Sequence, residues 1–281
     1  VNLEGLKLGL EKTGGPPETR KYSSALQSIL LLFFSYFVAY FLSLVIHEVG
    51  HGIMGVIKGY TFVGIFVNPF LGAHAIIVPG TASLEGAVSG EIFELLVTSL
   101  VSTIFWKRRS SASLPLQMLF PTALIFQGVE NTIALATPMA DFNYVMNVTG
   151  LPAVVFYVIG IVFICLGIFI FNLLFPLLGL GPGDRRSLIV VPIGLSLYNV
   201  LVVIFAYLFA PTVITRGYMF LIIGGILGVI LAAVYTTLYG RFYRRLPPSL
   251  QTEKVDLTWR DLRIPGVLFT VLMALGLLLS S

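Results

Sequence analysis

The chain is short of charge. Only 11% of its 281 residues are Asp, Glu, Lys or Arg, against roughly 25% in an ordinary soluble domain. That shortage excludes a soluble globular fold, whose surface must be covered by charge, and the apolar excess excludes a disordered chain. Cysteine is almost missing too. Cys165 stands alone, so no intramolecular disulfide can form and a disulfide scaffold is excluded. Histidine is limited to three residues and acid to 13. What the chain has instead is apolar: 57% hydrophobic, with a mean hydropathy of +0.96. The lipid bilayer is therefore the expected surrounding. A net charge of +4 does not point to nucleic acid, because no basic stretch is interleaved with stacking aromatics.

Spanning the hydrocarbon as a helix takes about 20 apolar residues. Seven runs meet that length, at roughly 26–46, 86–106, 115–136, 152–180, 188–210, 217–239 and 264–280. The expected fold is an all-α polytopic membrane protein of about seven transmembrane helices, with Pro176 as a kink site in the fourth. Fifteen of the 17 basic residues then fall in segments 1–25, 107–114, 181–187 and 240–263, leaving Lys58 and Arg216 outside. By the positive-inside rule this predicts a cytoplasmic N-terminus and a non-cytoplasmic C-terminus. Residues 59–82 contain no Lys, Arg, Asp or Glu and are rich in β-branched and aromatic residues, with Asn68-Pro69 as a turn signal. They read as a short membrane-associated β-hairpin or re-entrant segment.

One motif carries chemistry. His47-Glu48-Val49-Gly50-His51 places two imidazoles at i and i+4, on one face of a helix, where they can chelate one Zn²⁺. Glu48 follows the first of them and is placed to act as general base toward a metal-activated water. Two of the three histidines lie in this pentapeptide, at the end of an apolar run where ionisable groups are costly.

A catalytic zinc site typically takes a third protein ligand. Asp141, Glu130, Glu85, Glu91, Glu94 and His74 are the candidates. Asp141 is favoured, since it lies on the same side as the end of the first run and outside the basic segments. It can also cap the helix that follows Pro138. Glu130, with Asn131 beside it and Gln127 one turn earlier, forms a polar cluster within the third run. Such a cluster must face the bundle interior. Glu130 and Asn131 are therefore read as supporting residues that orient a histidine, with Glu130 as the alternative third ligand. Glu91, Glu94 and Asn199 read as structural hydrogen-bonding groups, and His74 as a loop histidine.

An H-E-x-x-H on a membrane helix, followed ninety residues later by Asp141, resembles the site-2 protease family of intramembrane zinc metalloproteases. The resemblance covers about residues 26–155. It includes the Gly-rich stretch from Glu85 to Glu91, and Asn147-Val148-Thr149-Gly150-Leu151-Pro152 after Asp141. It implies zinc on His47, His51 and Asp141, with Glu48 catalytic and strands from 59–82 beside the site. The chain departs from the family pattern at Phe142, where the family has Gly, and at Thr137-Pro138, where it has Asn-Pro. Those departures mark a divergent branch.

Three units are expected: a cytoplasmic N-terminal segment at 1–25, a metalloprotease-like core at 26–155, and additional transmembrane helices over 156–281. The expected partners are the bilayer and a membrane-spanning or membrane-anchored protein substrate. Two other classes share these features: an inactive metalloprotease-like accessory subunit, and an ion transporter using Glu91, Glu94 and Glu130.

Overall fold

In a computed structural model of the chain, the described residues are 17–68, 72–78, 83–108, 110–133, 141–209, 226–247, 250–251 and 254–279. The first helix, α1 (Pro17–Ile57), runs for 41 residues, about 60 Å at the α-helical rise. Pro17 opens it, where a missing N–H is no loss. Its end is a left-handed cap. Gly59 sits at φ 83°, and the Tyr60 N–H closes back onto the Gly55 carbonyl at 2.9 Å, satisfying a carbonyl the helix leaves orphaned.

The cap turns the chain into an antiparallel hairpin, β1 (Thr61–Asn68) and β2 (Gly72–Val78), paired from Thr61–Val78 to Asn68–Gly72 with an irregularity between Phe62 and Gly64. The Pro69 turn expected from the sequence lies outside the described residues. The second helix, α2 (Leu84–Trp106), is capped by Ser83, whose side chain accepts from the Gly86 N–H at 3.0 Å. Two faces divide it. Ile92, Leu96, Leu100 and Ile104 are exposed, while Gly90, Glu94 and Thr98 are buried. Apolar outside and polar inside is the pattern of a helix solvated by lipid.

A short helix α3 (Leu114–Gln117) leads into α4 (Leu119–Ile133). Next come α5 (Asp141–Thr149) and α6 (Ala153–Leu174). Helix α6 ends in a 3₁₀ turn, Phe175–Leu178, closed by Gly179 at φ 73°. Pro176 therefore ends the helix rather than kinking it. The remaining helices are α7 (Ser187–Phe209), α8 (Ile226–Tyr239) and α9 (Arg263–Leu279).

Helix α1 is the central rod and packs against α2, α4, α7 and α9. Its aromatic face, Phe33, Phe37 and Tyr198 of α7 with Phe269 of α9, makes ring contacts at 4.8–5.8 Å between centroids. Helices α4 and α6 cross at glycine. A Cβ on Gly128 would lie 2.7 Å from the Gly160 carbonyl oxygen, and one on Gly160 would lie 2.7 Å from that of Gly128. Close backbone approach of this kind is how helices associate in lipid, where hydrophobicity supplies no drive between them.

The expectation of about seven membrane-spanning helices is corrected. Four helical stretches among the described residues are long and apolar enough to cross: Ala25–Ile57, Leu84–Trp106, Ser111–Thr132 and Ala153–Leu178. These four make the chain a multi-pass membrane protein. The last three predicted runs are not among these four: α7 (Ser187–Phe209) lies on the fifth, and their fully described apolar stretches are Ser187–Leu201, Ile226–Tyr239 and Arg263–Leu278. Residues 210–225, which hold the end of the fifth predicted run, the connection with Arg216 and the start of the sixth, lie outside the described residues.

Several loops that carry the basic residues meet at one end of the bundle. Ser28 of α1 donates to the Leu178 carbonyl at 2.6 Å, and the Val255 N–H donates to Pro176 at 3.0 Å. Ser111 donates to Asp261, and the Tyr235 hydroxyl reaches the Leu180 and Gly181 carbonyls at 2.8 Å. His47 lies nineteen residues beyond Ser28 on the same helix, about 28 Å along the axis. The histidine motif thus occupies the opposite end of the bundle.

Candidate metal centre

Helix α1 continues through the motif without a break, so His47 and His51 lie one above the other on one face. That face meets α2 in antiparallel register. Ser43 of α1 stands against Glu94, His47 against Gly90, and His51 against Gly86. On each helix these positions recur every four residues, which makes a continuous stripe.

Gly90 is what allows the imidazoles to lie there. A Cβ at this position would be 2.6 Å from His51 Nε2 and 2.7 Å from His47 Nε2. Gly50 allows the helices to meet, since its own Cβ would be 2.7 Å from the Ser89 carbonyl oxygen. Asp141 arrives from the start of α5, which packs on α2.

The donor atoms converge. His47 Nε2 and His51 Nε2 are 3.0 Å apart, and Asp141 Oδ2 lies 3.4 Å from the first and 3.2 Å from the second. Around a tetrahedral ion with ligands at about 2.0–2.1 Å, donor atoms sit about 3.3–3.4 Å apart. The observed triangle matches that spacing, and two imidazole nitrogens with a carboxylate oxygen are a zinc donor set. The space beside them is kept open by Gly90. The cluster is able to hold a metal ion.

Both histidines are oriented from behind. His51 Nδ1 is 2.8 Å from the Gly86 carbonyl and must donate to it, leaving Nε2 with its lone pair free. His47 Nδ1 is 3.2 Å from Glu94 Oε2. Glu94 also accepts from Gln127 Nε2 at 2.5 Å and from Ser43 Oγ.

Glu48 is buried beside the imidazoles and turns toward the hairpin, where its Oε2 accepts the Ala75 N–H of β2 at 2.7 Å. His74 is exposed on β2 and stacks on Phe66 across the hairpin at 4.9 Å between centroids. Glu85 is at the α2 N-terminus and pairs with Lys58 at 2.8 Å. Among the described residues, His47, His51 and Asp141 form the group with metal-ligand spacing, and Glu130 is not part of it. Asn131 donates to the Gln127 carbonyl at 2.9 Å and approaches Glu91 at 3.5 Å. The side chains against His47 Nδ1 are Glu94 and Gln127. The residues 134–140 before Asp141, including Pro138, lie outside the described residues.

Ser43, Gly86 and Gly90 carry no catalytic signature of their own, and sequence reading gave them no role at the histidines. For Gly86 and Gly90 the signal is the four-residue stripe of small and polar positions Gly86, Gly90, Glu94 and Thr98 along α2. Compared with protein-family models, with curated proteins and with solved structures, the chain finds no match in any of the three.

Proposed function

We propose that this protein is an intramembrane zinc metalloprotease of the site-2 type that hydrolyses peptide bonds of membrane-spanning or membrane-anchored proteins. The observation that carries the reading is the convergence of His47 Nε2, His51 Nε2 and Asp141 Oδ2 within 3.4 Å, next to Glu48, in a membrane-helix bundle. Zinc held there would supply the Lewis acidity that makes a water nucleophilic near neutral pH and polarises a peptide carbonyl.

The chain's own residues supply the rest. The Ala75 N–H holds one oxygen of Glu48. The other oxygen accepts a proton from the attacking water and returns it to the leaving amine. The same contact brings the backbone of β2 against the site, so an extended substrate segment can pair beside it. A spanning substrate helix has its carbonyls tied up in internal hydrogen bonds and must unwind to be cut, which Gly or Pro near the scissile bond favours. In this reading the chemistry belongs to residues 26–155, and 156–281 are additional helices around it. The basic end faces the cytoplasm, so cleavage falls in the opposite half of the bilayer.

The test uses the full chain reconstituted in lipid vesicles with a membrane-spanning reporter helix containing Gly and Pro. Cleavage should be abolished by a zinc chelator. Glu48→Gln should lower the rate by roughly 10²–10⁴-fold while keeping its metal. Wild-type cleavage by Glu48→Gln would refute the assignment.

A further inference from the structure

Glu94 has no exposed surface and sits within a membrane-spanning helix. A carboxylate in that position is costly unless several donors converge on it. Three do. Ser43 Oγ reaches one oxygen, while Gln127 Nε2 at 2.5 Å and His47 Nδ1 at 3.2 Å reach the other. The donors come from two different helices, α1 and α4, so the carboxylate is fixed in place by both.

The protonation pattern follows from this geometry. Gln127 Nε2 is also 3.1 Å from His47 Nδ1. Both atoms point at the same carboxylate oxygen, so each serves it as a donor and their mutual approach is a consequence. Turning the Gln127 amide over would set its carbonyl oxygen against Glu94, which is repulsive. His47 Nδ1 therefore carries its proton, and Nε2 keeps a lone pair facing His51 and Asp141. His51 reaches the same state through the Gly86 carbonyl, a backbone group that no side-chain substitution removes. His47 depends on a side chain.

From this we infer that Glu94 is the positioning residue of the metal centre: it fixes the tautomer and ring orientation of His47, and Ser43 and Gln127 hold it in place to do so. The inference rests on the metal-centre reading above and deepens it. A carboxylate behind a ligating imidazole also raises the ligand's basicity, and losing such a partner typically weakens metal binding by about 10–100-fold.

The experiment measures Zn²⁺ affinity by chelator competition on the purified full chain in detergent, with the visible spectrum of the Co²⁺-loaded protein as a second readout. Glu94→Gln should bind Zn²⁺ about 10–100-fold more weakly and shift the Co²⁺ bands. Glu91→Gln removes a buried acid one turn away on the same helix that touches neither histidine, and it should bind as wild type does. Ser43→Ala leaves the carboxylate in place but removes one of its anchors, and should show a smaller loss than Glu94→Gln in the same direction. It also keeps the test open if Glu94→Gln does not fold. Unchanged affinity and an unchanged Co²⁺ spectrum in folded Glu94→Gln would overturn the inference, as would an equal loss in Glu91→Gln. Unchanged affinity in Ser43→Ala would overturn the anchoring. No Zn²⁺ binding by the wild-type chain would overturn the metal-centre reading itself, and the role of Glu94 with it.

Discussion

His47, His51 and Asp141 show how few side chains a site needs when the backbone around them is cleared. Gly90 does the clearing. A methyl group there would lie 2.6–2.7 Å from both imidazole Nε2 atoms, inside the space an ion would take. Gly90→Ala should therefore lose bound metal while the helices still assemble, because the clash falls on the imidazole rings and not on backbone. Metal content and circular dichroism on the same sample check this, and wild-type metal content in Gly90→Ala would show that the space is not needed. The histidine pair and Glu48 were legible in the sequence because their spacing is itself the signal. Asp141 was legible because acids beyond the basic segments are so few. Glu94 was legible as a candidate ligand and as a structural hydrogen-bonding group, but not as the partner of His47. Its partners Ser43 and Gln127 lie 51 and 33 residues away, and helix periodicity places a residue on a face without saying which helix that face meets.

The element that organises the site is the antiparallel contact of α1 with α2, where polar and small positions recur every four residues on both helices. The hairpin follows from the Gly59 cap on α1, which sends β2 back to Glu48. At the far end, the segment before α9 is anchored by Asp261, which accepts from Ser111 Oγ and from the Thr258 N–H at 2.8 Å. Partial burial pushes the Asp261 carboxyl up, but these hydrogen bonds outweigh it and hold it below the usual carboxylate range. A depressed carboxyl stabilises fully above its unfolded value of about 3.9, and that contribution is lost as pH falls through the folded value. Trp259 fluorescence should report this anchor releasing in acid below about pH 4. Asp261→Asn should remove the acid transition from that probe. An acid transition that persists in Asp261→Asn would assign it elsewhere. The hairpin region was readable from its lack of charge and its β-branched content. Helix lengths were not. Apolar runs of similar length end differently when Pro176 sits in a 3₁₀ turn or when a π-turn at Tyr235–Tyr239 interrupts the helix.

On the scale of the whole molecule, four helical stretches among the described residues are long and apolar enough to cross the bilayer. Hydropathy alone counted about seven, because it scores every apolar run alike. Charge segregation proved informative in another way. The segments around Lys107 and Arg108, around Arg185 and Arg186, and before Arg263 meet in space through Ser111, Asp261, Pro176 and Val255. The histidines stand nineteen helical residues away from that contact layer. Basic loops and metal centre thus occupy opposite ends of one bundle, and the ligands come from helices whose contributing residues are ninety positions apart.

The most direct measurement is metal stoichiometry. The purified full chain, equilibrated with Zn²⁺ and freed of excess, should hold one ion per chain by elemental analysis. His47→Ala, His51→Ala and Asp141→Ala should each lose it, and Glu130→Gln should keep it. Wild-type stoichiometry in His47→Ala or Asp141→Ala would contradict a metal centre built from these three residues.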